Sequence, residues 1–324
     1  MNAHIWRLEW FWVALETTRG TIVAPAIFIP QVEATFQDMF ENVADESALW
    51  VITSSSWAVR TKEAAEWEIQ AILSANSIWY FLRNIIWAST SAETSWTWAY
   101  EHNFTDEVTN EKKSLSITKI TPLSTKQYAL WMLTSLWIST KVWEQIIAKM
   151  WIKSKAWATG TATKNYVEDY KFYAKHLNIY EADTLAWLDW ASKLCLSDFE
   201  LNLIQPLEDD YCFSNWVELS NLYNTDLQTE MSATKVKRDT TFEDRAKSLS
   251  MKAMRIEIID TSKTIWVEDH PTIIIDIAKT NIEEYETSSP LWEIVKESFK
   301  IKAHYDLSTW KNIDVKIINE ITSY

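Results

Sequence analysis

From Thr35 onward, polar and apolar residues alternate along most of the chain, the period of two that a strand shows when one face is buried and the other meets water. The alternation predicts strands over Thr35–Phe40, Ala58–Leu73, Tyr100–Thr105, Lys113–Thr121, Lys126–Leu133, Val142–Lys153 and Asn165–Tyr180. In the second half it predicts Lys193–Ile204, Glu230–Lys237, Arg245–Asp260, Pro271–Thr280, Leu291–Tyr305 and Asn312–Asn319. Helical spacing replaces it in few places. Over Ser74–Ile86 apolar residues recur at three and four, with Ser74 or Asn76 available as a cap, and Asn215–Asp226 suits a shorter helix. Many strands with one or two flanking helices make a mainly β fold, a sandwich or half-open barrel.

The turns between these strands are unusual. A chain of 324 residues ordinarily holds about 23 glycines, yet this one has 2 Gly and 21 Trp, which together make that number. Asn215-Trp216 and Asp189-Trp190 place Trp where Asn-Gly and Asp-Gly form hairpin turns, and such turns need a positive φ that a bulky residue resists. Trp310 in Ser308–Asn312, Trp96 and Trp98, and Trp157 near the real Gly160 occupy similar settings. Trp87 follows the apolar run of the predicted helix, at the position where helices favour glycine. These settings fit UGA codons read as glycine by the source organism, a usage of some uncultured bacterial lineages. The alternative is a truly Trp-rich protein whose aromatics form a sugar-binding or membrane-interface surface.

The length suits one large domain or two ordinary ones. No Pro-rich or Ser-rich linker divides the chain. Two echoes suggest duplication without strict register: Ile29–Phe36 resembles Leu196–Leu203 in pattern, and Lys113–Ser116 recurs as Lys247–Ser250. The expected division is a first β module over 1–180, with the helix near 74–86, and a second over 181–324. One continuous domain is the alternative.

Charge and composition exclude several classes. A net charge of −14, spread along the chain, repels nucleic acid. The apolar stretches Ser77–Trp87 and Ala129–Ile138 fall short of the ~20 residues of a membrane span, and Met1–Leu15 has no uninterrupted apolar run of the kind a signal peptide carries. The expectation is a soluble, unexported chain. Cys195 and Cys212 lack CxxC spacing and read as buried small apolar residues in a reducing compartment.

No catalytic, metal or cofactor motif emerges. The five histidines, His4, His102, His176, His270 and His304, lack HExxH or any paired spacing, and neither a nucleophile elbow nor a phosphate loop appears even with Trp returned to Gly. Glu208-Asp209-Asp210 and Glu283-Glu284 could serve a glycosidase only if the fold brought two carboxylates together. Solvated loop faces account for them more simply. Lys235–Arg238 is a short basic run that suits a blunted strand edge.

Read with glycine for Trp, the segment Trp67–Leu73 followed by Ile78–Trp87 resembles the strand and helix of bacteriophage tail tube proteins, the tube subunits of long-tailed phages. Tyr100–Phe104 is similar to the strand that follows in that family. His304–Ile313 with Ile317–Tyr324 resembles its closing hairpin, and Ala24–Pro30 its opening. The resemblance implies a non-enzymatic virion protein that self-assembles into stacked rings around a DNA passage, without cofactor or metal. Implied partners are other copies of the chain, in trimeric rings if the module is duplicated or hexameric rings if it is single, and tail proteins such as the tape measure and terminator. DNA would pass through an acidic lumen without specific binding. The implied location is the virion tail, after synthesis in the host cytoplasm. The segment Glu41–Trp57, with Glu41, Asp45, Glu46, Ser47, Ser54 and Ser55, is the candidate loop contacting the adjacent ring. Alternatives are a terminator or baseplate component, or a Trp-rich carbohydrate-binding module.

Overall fold

The computed structural model describes residues 9–29, 31–44, 57–86, 89–94, 98–105, 112–161, 169–212, 217–266, 268–289 and 291–322. Over these residues the chain is mainly β, with antiparallel ladders and few helices, consistent with a sandwich. The first half runs β1 (Trp10–Leu15), β2 (Ile27–Ile29), β3 (Gln31–Ala44), β4 (Ala58–Ile72), α1 (Ile78–Ile85), β5 (Ser89–Glu93), β6 (Tyr100–Thr105), β7 (Leu115–Ile120), β8 (Thr125–Lys141), β9 (Ile147–Ser154) and β10 (Ala158–Thr159). The second half runs β11 (Leu177–Ala182), β12 (Asp198–Ile204), β13 (Leu207–Asp210), β14 (Asn221–Asn224), β15 (Gln228–Val236), α2 (Thr241–Ser248), β16 (Lys252–Ile259), β17 (Thr272–Ser288), β18 (Lys296–His304) and β19 (Ile313–Asn319).

Of the strands that alternation predicts, β4, β6 and β19 match within a residue or two, whereas Asn165–Tyr180 is strand, among its described residues, only from Leu177, after a 3₁₀ turn at Ala174–His176. The exceptions have local causes. Asn215–Asp226 is not a helix, because Asn221–Asn224 pairs with β13 as β14; residues 213–216 lie outside the described set. Arg245–Ser248, predicted as strand, is the end of α2. That helix starts where the Asp239 carboxylate accepts the Thr241 N–H at 3.0 Å, and it carries Glu243 and Asp244 in its first turn and Arg245 and Lys247 in its last, as the helix dipole favours. α1 is the predicted helix, but neither Ser74 nor Asn76 caps it. Asp169 does so from outside, accepting the N–H groups of Asn76 and Ser77 at 2.9 and 3.1 Å. Burial raises the Asp169 pKa, and those hydrogen bonds oppose the rise.

The main sheet has eight strands in the order β3-β4-β9-β8-β12-β15-β18-β17. β8 and β17, each 17 residues long, form its middle and one edge. The first half of β8 leaves this sheet to pair with β7 and β10, and β7 continues into β1 and β2. The first half of β17 pairs likewise with β16 and β19, which lead to β11 and to β6 with β5. Trp67, Ile69, Leu136, Ile138, Leu201, Met231 and Ile301 point from the main sheet into one continuous core shared with Phe11, Val13, Leu82, Ile256 and Phe242. Burial of that core is the main stabilising term, worth about 1.5–3 kcal/mol for each large side chain.

The ladders of the two halves recur. On β8 the pairing steps from Ile117↔Tyr128 to Leu115↔Trp131, and on β17 from Met254↔Ile277 to Lys252↔Thr280; in both, one residue faces two across a bulge. A second bulge separates Leu133↔Ile152 from Ser135↔Trp151, and its counterpart separates Ile282↔Ile301 from Glu284↔Lys300. One shift in numbering, the shift that carries Tyr128 to Ile277, carries each of these long-strand residues to its counterpart. β4 meets β9 at Trp67↔Ile152 as β15 meets β18 at Met231↔Ile301, and Phe36↔Trp67 matches Leu201↔Met231. The strand β11, which straddles residue 180, pairs with β16 as β1 pairs with β7.

Candidate assembly surface

One face of the main sheet packs on the core and the other presents alternate polar residues. Cross-strand registers put Thr35 and Gln37 beside Glu68 and Glu66, and these beside Trp151 and Lys153 on β9; Trp151 and Lys149 then face Ser135 and Trp137 on β8, which face Ile204 and Asn202 on β12. The row continues through Glu230 and Ser232 on β15 and Lys302 and Lys300 on β18 to Glu284 and Glu286 on β17. Lysines on β18 therefore stand between acids of β15 and β17, and those on β9 stand beside the acids of β4. Lys149 lies 2.6 Å from Glu68 and holds that carboxyl below its usual range. Lys300 lies 3.1 Å from Glu230, a hydrogen-bonded pairing that raises the lysine pKa. Glu33, Glu200, Glu284 and Glu286 share the face and make no ion pair among the described residues, so its balance is acidic.

Both edges of this sheet are open among the described residues. β3 pairs with β4 alone, and the second half of β17 pairs with β18 alone. Interior strands such as β12 pair on both sides. Open edges are templates for adding a strand. β3 and β4 also extend beyond the sheet as a two-stranded arm, paired from Met39↔Ala64 to Ala44↔Ala58, where Met39, Phe40, Val43 and Trp57 are exposed. Apolar side chains on such a projection are the usual mark of a protein contact.

Of the predicted loop residues, Glu41 lies on this arm, exposed, 3.2 Å from Lys62 of the facing strand. Asp45, Glu46, Ser47, Ser54 and Ser55 lie outside the described residues. The sheet edges themselves were not among the sequence candidates, because which strand ends a sheet depends on pairings that composition does not encode.

The tryptophans fall into distinct groups. Trp12, Trp67, Trp79 and Trp131 are buried in core positions with ordinary backbone. Trp143, Trp292 and Trp310 stand in the left-handed region, at φ 74°, 70° and 58°, and are 96%, 94% and 71% exposed. Trp143 is third of four residues in the β8–β9 turn closed by Glu144 N–H to Lys141 O at 3.0 Å, where a type II turn calls for glycine. Trp310 closes the turn in which Asp306 accepts from Ser308 and Thr309 and pairs with Lys279. Trp190 ends a 3₁₀ turn without a positive φ. Trp87, Trp96 and Trp216 lie outside the described residues.

No family model matches the chain, and no curated protein does. Several of the remaining chemistry-bearing side chains have structural partners. His102 is buried between Ser91 Oγ at 2.7 Å and Asn319 Oδ1 at 3.0 Å, and His304 Nε2 meets Asn281 Oδ1 at 2.7 Å. Asp209 of the acidic run pairs with Lys153 at 2.7 Å on β13, and Lys235 and Lys237 of the basic run pair with Glu297 and Glu243. Among the described residues no three His, Cys, Asp or Glu side chains group as metal ligands, and no helix is long and apolar enough to cross a membrane. Cys195 and Cys212, expected to be buried, are both exposed free thiols, since each sits in a connecting segment and not on a core face.

Proposed function

We propose that this chain is a structural subunit of the tail tube of a long-tailed bacteriophage, which assembles through its sheet edges into rings that stack into a hollow tube. The observation that carries the reading is the eight-stranded sheet with two open edges and an acidic polar face. Ring closure would pair both edges, and the polar face would line the passage. Carboxylates there would repel phosphates and let DNA slide without sticking. The β3–β4 arm, with Glu41 and the loop beyond it, would reach the adjacent ring, and the exposed Met39, Phe40 and Val43 would become buried there. The other partners would be the tape measure and terminator of the same tail, and the chain would perform no catalysis.

Negative-stain electron microscopy of the purified chain, expressed with tryptophan and separately with glycine at the 21 Trp positions, tests this. Rings or tubes with a central hole are expected. Both forms remaining monomeric at every concentration would sink the reading. A glycan-binding module is the second reading, favoured by Trp137 and Trp151, whose rings are neighbours on the polar face with centroids 4.9 Å apart and planes tilted by 57°. It predicts glycan affinity from a monomer, lost on Trp137→Ala.

A further inference from the structure

The chain contains, between its own halves, a strand pairing whose counterpart is missing at its ends. β12 is fourth from the β17 edge and pairs with the second half of β8 from Asp198↔Lys141 to Ile204↔Ser135. By the recurrent ladders, β3 is the counterpart of β12 and β17 the counterpart of β8. The strand order β3-β4-β9-β8 is therefore repeated as β12-β15-β18-β17, and β8 to β12 is the seam between the two quartets. β17 has no strand on the flank that β12 covers in β8, and β3 has none on the flank that β8 covers in β12, among the described residues. The two open edges are complementary to each other and not to themselves.

We propose that β3 of one copy adds, antiparallel, to the second half of β17 of the next copy, in the register that β12 already makes with β8. Carrying Phe36 to Leu201 and Glu286 to Trp137 fixes the pairs: Thr35 faces Ser288, Phe36 faces Thr287, Gln37 faces Glu286, Asp38 faces Tyr285 and Met39 faces Glu284. Although both edges are acidic, this register sets no carboxylate directly opposite another, which is where like charges repel most. Gln37 and Glu286 are exposed in the single chain. Because the joining surfaces differ, the contact is head-to-tail and propagates until it closes on itself. It rests on the proposed ring for closure, while the strand pair rests on the internal seam.

The test places cysteines at the two ends of one predicted pair, Gln37→Cys with Glu286→Cys, in a chain whose exposed thiols are removed by Cys195→Ser and Cys212→Ser. Mild oxidation followed by non-reducing electrophoresis is expected to give a covalent ladder of copies. The slipped pair Gln37→Cys with Thr287→Cys puts the thiols on opposite faces of the sheet and is expected to give none. A second measurement leaves the fold alone: Gln37→Glu sets a carboxylate opposite Glu286 and should raise the concentration for half-assembly about 2- to 5-fold, and Gln37→Lys should lower it similarly. Rings visible by microscopy with no ladder from the first pair, or with equal ladders from both, would overturn this interface and leave the ring reading standing. A chain that is monomeric and uncrosslinked throughout would overturn both.

Discussion

Asn84 and Arg245 hold corresponding bulges in the two halves of the chain. Asn84 on α1 donates to the carbonyls of Lys113 and Trp131 at 2.8 and 3.2 Å and accepts from the Leu133 N–H at 2.7 Å. Arg245 on α2 donates to the carbonyls of Ser250 and Thr280 at 3.3 and 2.9 Å. Trp131 and Thr280 are the matching bulge residues, and each helix is thereby fastened to the place where its long strand bends.

A bulge leaves backbone groups without ladder partners, and a buried one that loses its partner costs about 1–3 kcal/mol. Asn84→Leu should destabilise by roughly 2–4 kcal/mol, since it orphans one N–H and two carbonyls. Arg245→Met should cost more, about 3–5 kcal/mol, because it also strips the counter-charge from Glu181, 2.5 Å away and mostly buried. Urea unfolding of the two variants checks both the sizes and their order.

The sequence makes strands such as β4 and β6 legible because Ala65, Trp67, Ile69 and Ala71 alternate with polar neighbours over a buried face. α2 escapes because only Phe242 and Arg245 of its eight residues are buried, too few to set a helical period. The second half of β8 escapes because its bulge near Thr134 interrupts the alternation at Thr134-Ser135. The echo of Ile29–Phe36 in Leu196–Leu203 sits two residues out of step with the ladders, and that of Lys113–Ser116 falls on Lys247–Ser250, across the end of α2 and short of β16, since the bulges and unequal loops shift one half against the other. The polar face and the open edges come from registers alone, and a register is a relation between distant residues that local pattern does not carry.

Glu16 is a buried acid that pins the first bulge from the other side. Its carboxylate accepts from Gly20 N at 2.6 Å, Ser116 Oγ at 2.9 Å, Leu130 N at 2.8 Å and also from Ser114 Oγ. Leu130 stands at φ 54°, an uncommon backbone for a branched side chain, and this hydrogen bond helps hold it there. Glu16→Ala should cost about 3 kcal/mol, and Glu16→Gln less, because the amide keeps one acceptor oxygen. Loss of amide-exchange protection at Leu130 is expected in Glu16→Ala, ahead of global unfolding.

Lys112 is buried, with its ammonium against the Ile85 carbonyl at the end of α1, and burial lowers its pKa from 10.5 to about 7. Between those values the unfolded chain holds a proton that the folded chain has released, so the contribution of Lys112 to stability rises as pH rises from about 7 to 10.5. Below about 7 both states are charged and the folded state bears the full burial penalty. Lys112→Met removes that penalty, so the variant should exceed the parent by roughly 2–5 kcal/mol at pH 6 and by progressively less toward pH 10. Thermal melts of both proteins at several pH values would show the gap closing; a constant gap would rule out titration of Lys112 as its source.

Trp143, Trp292 and Trp310 combine a left-handed backbone with high exposure, so their side chains gain little from packing while their Cβ atoms strain the turn. Glycine removes that strain, worth about 1–2 kcal/mol at each site. The triple variant Trp143→Gly, Trp292→Gly, Trp310→Gly should therefore melt several degrees higher than the parent, at about 2–4 °C per kcal/mol for a chain of this class. Trp67→Gly should act in the opposite sense, because Trp67 packs edge-on against Phe36 and Tyr128 with ring centroids 4.2 Å apart in each case. If the turn residues are UGA codons read as glycine, the gene carries UGA at 143, 292 and 310, and the intact mass of the native protein is lower than that of the tryptophan-containing chain. UGG at those three positions would show the tryptophans to be genuine and the strain to be native.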